Sequence, residues 1–550
     1  MEKNMKNENP NPNPNQNKPK TFVGGAIILG IAGLLVKLLG AVFRIPLGNI
    51  IGDDGMGYYQ TAYPIYVLFL TIATAGIPTA IARMVAERYA VDRPYEAHRV
   101  FKISTILLFI TGAVSCSIFF FGAQAIANAV KEPDAVWCLK AIALALLFVP
   151  LMGSFRGYFQ GRQNMNPTAI SQVVEQIFRV GFGLGLAVLL LDKGVAIAAA
   201  GACFGAAAGG FFGFIGMLLI YAKESKAVKA ELAGIRKTHD ESVKHILWNI
   251  LCIAVPITIG ASVMPIINAI DTAIVKSRLI AIGYDSAVAR SLYGQLTGMA
   301  APIINVPQVF TQAVSMSLVP VIAASFRRGE RDFIRKNVSL SLRYAMLISA
   351  PCAAGIIALS KPIMLMFYPY QKESAVSAAE CLAVLALGTV FLALVHASTG
   401  ALQGIGKQQI PVINLCFGAL AKIAVTYTLT AVPSLNVRGA ALGTVAAYAV
   451  AALLNIIQVK KRTGTRYDII TIFIKPLTAS AIMGFGAYLC YRLLSGLLGN
   501  AVSCLISVCF GVVLYALMVI LTRSLTAEEI ESIPKGRKIV SLLRKLRLLK

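Results

Sequence analysis

Seven ionisable side chains stand inside long apolar runs of this sequence: Lys37, Arg44, Glu175, Arg179, Asp271, His396 and Lys422. An ion held at membrane depth costs about 2.5–3.5 kcal/mol on insertion scales, so it normally faces a cavity or a partner. Lys37 and Arg44 lie two helical turns apart on roughly one face, and no acid shares their run. They are candidates for a site that holds an anion, with ion pairing from another segment as the alternative. Glu175 and Arg179 have the four-residue spacing of a helical ion pair. Lys422 has no acid four residues away, so it reads as a further anion-facing cation. Glu175, Asp271 and His396 are candidates for ion coupling or for the face between two halves. Interfacial exposure is the competing reading for Asp271, and hydrogen-bonded packing for His396. With Lys140 and Glu380 counted, and Lys361, Arg438 and Lys475 near the run ends assigned to the adjoining loops, the apolar runs hold five basic residues against three acidic ones.

No arrangement for covalent or metal chemistry accompanies them. The sequence contains no HExxH, no nucleophile elbow and no Walker loop. Its ten cysteines include no CxxC pair, so neither a zinc site nor a disulfide framework is signalled. The expectation is a protein that is not an enzyme and carries no metal or cofactor. Any energy input would come from the membrane potential or from a proton or sodium gradient.

The elements that position these residues follow from composition. Of 550 residues, 57% are hydrophobic and only 14% charged, where a soluble globule has about 25% charged. Mean hydropathy is +0.71. Fourteen apolar segments emerge, at about 22–47, 58–82, 103–130, 136–155, 168–191, 195–221, 246–275, 292–325, 344–368, 380–402, 410–431, 438–457, 472–491 and 501–522. Lipid offers no hydrogen bonds to a backbone, so each must be a helix. The fold class is therefore all-α, a polytopic membrane protein of about fourteen transmembrane helices.

The net charge of +26 then acquires a meaning. With the N-terminus inside, and run-end residues counted with the adjoining loop, 37 of the 51 Lys and Arg residues fall in inside segments, 9 in outside loops and 5 deeper within the runs. That bias marks the inside as cytoplasmic and predicts an N-in, C-in chain. Attraction to anionic membrane lipid accounts for the remainder, and nucleic acid is not needed as a partner. Residues 1–20 read as a disordered cytoplasmic tail, 222–245 as a cytoplasmic linker, and 523–550 as a basic amphipathic helix on the inner leaflet.

An approximate repeat divides the spans. Gly157-Tyr-Phe-Gln160-Gly161 recurs as Gly400-Ala-Leu-Gln403-Gly404, each followed by a proline, Pro167 or Pro411. A basic residue stands nineteen positions after each Gln, Arg179 in one copy and Lys422 in the other. A weaker pair is Gly76–Ala82 against Leu318–Ala324. The copies are an even number of spans apart, so they share one orientation, as in transporters built from parallel repeats. This predicts an N-lobe over 21–221 and a C-lobe over 246–459, each of six helices, with two further helices over 460–522. Alternating access between the lobes is the motion the plan suggests.

Particular motifs carry a resemblance. The run VKLLGAVFRIPLGNIIGDDGMGYYQTAYPIYVLFLTIATAGIPTAIARMVAE (36–87) resembles the start of bacterial polysaccharide-biosynthesis transporters of the stage V sporulation protein B type. So do RGYFQGRQNMNPTAISQVVEQIFRV (156–180), LQGIGKQQIPVIN (402–414) and NVRGAALGT (436–444). That family lies within the multidrug/oligosaccharidyl-lipid/polysaccharide exporter superfamily. The resemblance implies a V-shaped, MATE-like pair of lobes in the bacterial cytoplasmic membrane. It also implies flipping of undecaprenyl-pyrophosphate-linked sugars, notably lipid II of peptidoglycan, with cell-wall synthesis proteins as conceivable partners. Lipid II flippases of this kind carry basic residues on the first helix, which Lys37 and Arg44 match by position. They also carry a basic residue on the second helix and charges on the eighth, whereas 58–82 and 292–325 contain none here. A cavity of Lys37, Arg44, Arg179 and Lys422 could hold the diphosphate by charge-assisted hydrogen bonds. Two alternatives stay open: an ion-coupled multidrug or cation antiporter on the same fold, and a non-transporting scaffold of the cell-wall machinery.

Overall fold

The computed structural model describes residues 22–233, 241–522 and 524. The N-terminal tail (1–20), the centre of the 222–245 linker, and the 523–550 helix apart from Ser524 lie outside the described residues. No strand occurs among the described residues. The first half of the chain forms α1 (Phe22–Thr74), α2 (Ile77–Ala90), α3 (Pro94–Phe121), α4 (Ala123–Ala129), α5 (Val136–Ala143), α6 (Ala145–Gly161), α7 (Asn166–Leu189) and α8 (Val195–Ala233). The second half begins with α9 (Val243–Ala281), α10 (Ser286–Gly294), α11 (Ala301–Arg327), α12 (Arg331–Ala358) and α13 (Ser360–Phe367). It continues with α14 (Lys372–Gly404), α15 (Gln409–Leu429), α16 (Val437–Thr463), α17 (Lys475–Leu498) and α18 (Asn500–Leu521).

Thirteen stretches are long and apolar enough to cross a membrane, the first of them 63 residues, Ile28–Ala90. At 1.5 Å per residue that stretch would be roughly 95 Å long, three times the hydrocarbon thickness. It must therefore bend back, and α1 is broken at Gly52 (φ 66°, ψ −175°). The outward surface is what lipid requires. Leu493 and Leu497 of α17 and Val512 and Val513 of α18 are largely exposed, a patch that would aggregate in water.

Packing follows the repeat. A Cβ on Gly157 would stand 2.6 Å from the Pro78 carbonyl oxygen, and one on Gly161 would stand 2.7 Å from the Val85 side chain. In the second half, a Cβ on Gly400 would stand 2.7 Å from the Ser315 carbonyl oxygen, and one on Gly404 2.7 Å from Ile322. Both copies of the Gly-x-x-x-Gly motif thus press a helix against the segment of the weaker repeat, α6 on α2 and α14 on α11. Small residues let backbones approach where no hydrophobic force drives helices together.

Four apolar clusters form the core. One gathers Phe43 through Ala207 and another Ile77 through Ala254; the other two gather Val275 through Cys504 and Leu318 through Ile472. The helix α9 does not respect the expected boundary at 246. Its Ile246, Ile250 and Ala254 pack with α2, α3 and α6, while Val275 and Leu279 join the second-half core. One 39-residue helix is thus shared by both halves.

Candidate functional site

A cavity lies between the halves, with a volume of about 490 Å³, inside the roughly 300–1,000 Å³ usual for small-molecule sites. The α1 helix contributes Lys37, Phe43, Arg44, Tyr59 and Tyr63, and α7 contributes Gln176 and Arg179. The opposite wall is α11, with Asn305, Gln308 and Gln312, joined by His396 of α14. Three of the four cations singled out in the sequence therefore meet in one space. Among the described residues, none of Lys37, Arg44 and Arg179 has a carboxylate within 4.0 Å.

Their neighbours are neutral. The Lys37 ammonium donates to Gln312 Oε1 across the cavity. The guanidiniums of Arg44 and Arg179 lie 5.8 and 5.7 Å from the centre of the Tyr63 ring. Tyr63 in turn stacks on Tyr59, with ring centroids 5.6 Å apart and an interplanar angle of 14°. Aromatic faces attract cations, yet they leave the full positive charge uncompensated. Such a space favours an anion, and more strongly than water would, because the dielectric is lower.

The expected Glu175–Arg179 pair is not formed. Glu175 accepts instead from Arg156 Nη2 of α6 at 3.0 Å, and Arg156 Nε donates to Ser171 Oγ at 2.9 Å. A residue counted as cytoplasmic loop thereby occupies the acid and leaves Arg179 to the cavity.

Lys422 corrects the sequence reading in the other direction. It does not line the cavity; its Nζ lies 3.0 Å from Asp271 Oδ2, both side chains nearly buried. The charges of α9 and α15 therefore cancel locally. His396 does line the cavity, with its Nδ1 3.1 Å from Thr311 Oγ1 and its carbonyl oxygen accepting from Ser315 at 2.6 Å. Glu380 pairs with Arg438 at 3.0 Å, and Lys140 sits over the Phe120 and Trp137 rings.

A second charged cluster went unread in the sequence. Lys276 and Arg290 are in segments assigned to an outside loop, but Lys276 is only 1% exposed and Glu132 2%. Lys276 Nζ lies 3.1 Å from Glu132 Oε2 and also bonds Thr61. Arg290 pairs with Glu132 and, at 2.6 Å, with Asp54. Next to it, Asp53 Oδ2 accepts from Ser291 at 2.6 Å and from Gln295 at 2.8 Å. The backbones nearly touch there, since a Cβ on Gly294 would fall 2.1 Å from the Asp53 carbonyl oxygen. This network ties the first half to the second on the side expected to face outward. The available signal was the paired acids of Gly52-Asp-Asp-Gly55 and the isolated Glu132, all in short loops.

Comparison with known proteins agrees with the geometry. The model of the family described as polysaccharide biosynthesis protein matches residues 22–326, more than half of the chain. The chain belongs to the polysaccharide biosynthesis protein family. A second model, MatE, matches residues 296–428 of this family member, and with it the chain falls in the multidrug/oligosaccharidyl-lipid/polysaccharide exporter superfamily. Lipid II flippase MurJ of Bacillus subtilis is 29% identical over 474 residues, covering 84% of this chain and 86% of that protein. Stage V sporulation protein B of the same organism is 26% identical, covering 95% of this chain and 99% of that protein.

Solved structures show the same fold. A structure of lipid II flippase MurJ in an inward closed conformation superposes with TM-score 0.67 at 17% identity, covering 90% of this chain and 99% of that one. An inward-facing multidrug resistance MATE transporter gives TM-score 0.60 at 16% identity, covering 80% of this chain and 98% of that one. The polysaccharide biosynthesis protein described here is therefore a multi-pass membrane transporter with a MurJ- and MATE-like fold. Such families and folds are those of transporters and flippases rather than enzymes. The resemblance read at 36–87, 156–180, 402–414 and 436–444 stands.

Proposed function

We propose that the chain flips undecaprenyl-pyrophosphate-linked sugars, lipid II foremost, across the cytoplasmic membrane by alternating access of its two halves. The observation that carries this reading is the set of three cations, Lys37, Arg44 and Arg179, facing one inter-lobe cavity with no carboxylate within 4.0 Å among the described residues. A lipid-linked sugar presents an anionic diphosphate and a polar glycan, while its prenyl tail can remain in lipid. Guanidinium and ammonium groups bind diphosphate oxygens by charge-assisted hydrogen bonds of about 2.7–2.9 Å. A diphosphate that claims the Lys37 ammonium competes with Gln312, so substrate entry loosens one tie between the halves. The outward network at Glu132 must open for release. An inside-negative potential favours outward passage of the anion by about 2.3 kcal/mol per charge per 100 mV.

The positive cavity argues against export of cationic drugs, which it repels. The test is saturable binding of undecaprenyl-pyrophosphate-linked sugar to the purified protein. Lys37→Ala, Arg44→Ala and Arg179→Leu should each weaken binding while the protein folds normally. Cationic dyes should not compete. Proton- or sodium-driven dye export, with no binding of the lipid-linked sugar, would establish the antiporter reading instead.

A further inference from the structure

The two walls of the cavity between the halves differ in kind. All three cations come from α1 and α7, whereas α11 carries no charged residue between Ala301 and Phe326. What α11 presents instead is a row of amides. Asn305, Gln308 and Gln312 are separated by three and four residues, the spacing that stacks side chains along one helical face, and all three line the cavity. Gln312 is engaged by Lys37. Asn305 is exposed and Gln308 half-buried. A π-helical turn, Gln295–Ala300, precedes the row. Such turns shift a helix out of phase and occur often at functional sites.

We propose that the Asn305–Gln308–Gln312 face of α11 is a glycan subsite, which reads the first sugar of the lipid-linked substrate while the facing cations hold its diphosphate. This rests on the diphosphate reading above and adds the determinant of sugar preference. A primary amide offers two donors and an acceptor in one plane. That set matches vicinal hydroxyls and an acetamido group, and it adds no charge to compete with the diphosphate. The covalent order of the ligand fits the geometry, since the sugar is bonded directly to the diphosphate and must lie against whatever wall faces the cations. Tyr59 and Tyr63 supply a stacked aromatic surface beside the junction. A site selecting the diphosphate alone would gain nothing from the amides. A site for hydrophobic cations would not place a row of amides opposite three positive groups.

The experiment uses the purified full-length protein and two probes, bare undecaprenyl diphosphate and undecaprenyl-diphosphate-linked N-acetylhexosamine. Asn305→Leu and Gln308→Met, singly and together, remove the amides with little change in side-chain length. Each should weaken binding of the sugar-linked probe about three- to tenfold, the value of one or two neutral hydrogen bonds. Binding of the bare probe should stay within about twofold, which also reports that the variants are folded. The doubly substituted protein should bind the two probes alike. Equal losses for both probes, no loss for either, or wild-type protein that binds both probes alike, would each overturn the subsite. Failure of the underlying reading looks different. There, wild-type protein would not bind the bare probe, and Arg179→Leu would leave binding of the sugar-linked probe unchanged.

Discussion

Glu132 permits a direct test of the contact that seals the halves together. Glu132→Gln preserves shape and removes one negative charge. The carboxylate is 2% exposed and serves two cations, Arg290 and Lys276, the latter 1% exposed. With an amide in its place, Arg290 keeps Asp54, whose side chain is 39% exposed, and buried Lys276 keeps the Thr61 hydroxyl but loses its carboxylate. Breaking a buried ion pair by removing one partner costs about 3–5 kcal/mol. That cost falls on the sealed arrangement only, because separating the halves would hydrate both cations. The equilibrium should therefore move toward the outward-open form by roughly 150- to 5,000-fold, at 1.36 kcal/mol per decade. A single cysteine replacing Thr61, a near-isosteric change at a fully buried position beside Lys276, reports the opening in an otherwise cysteine-free protein. Impermeant thiol reagents added outside cells should label it in the Glu132→Gln background and not in its absence. Glu132→Asp, which keeps the charge, should label weakly. A cysteine that stays protected in the Glu132→Gln protein would refute the reasoning. If thermal stability also fell by the full 3–5 kcal/mol, the network would be a fixed structural pair.

Two further outcomes are expected. Asp271→Asn and Lys422→Met should each lower thermal stability by about 3–5 kcal/mol, and the double variant should recover most of the loss, because only the single changes strand a buried charge; additive losses in a double-mutant cycle would contradict the pairing. For the N-in, C-in orientation, cysteines at the exposed positions Asp192 and Lys372 should react with impermeant reagents in intact cells, whereas those at exposed Arg93 and Arg331 should not; labelling at Arg331 would reverse the assignment.

The all-helical, many-span membrane architecture was legible in the sequence because lipid imposes a local rule: about 20 apolar residues with every backbone group bonded within its own segment. The repeat was legible as well, and its glycines mark real close approaches, Gly157 on Pro78 and Gly400 on Ser315. Lys37 and Arg44 could be placed in a cavity from one helix face without an acid. Which other charges would join them could not be read. Arg179 faces the cavity because Arg156, from a different helix, takes Glu175. Lys422, its counterpart in the repeat, is neutralised by Asp271 from α9. Lys276, Arg290 and Glu132 look like loop charges in the sequence and become a buried seal only when two halves of the chain meet. The physical reason is common to all three. A membrane helix is apolar on nearly every side, so its hydropathy carries no record of which face turns toward which neighbour. Helix rotation and relative depth decide whether two charges meet within 4 Å, and only the packing of the whole bundle sets those.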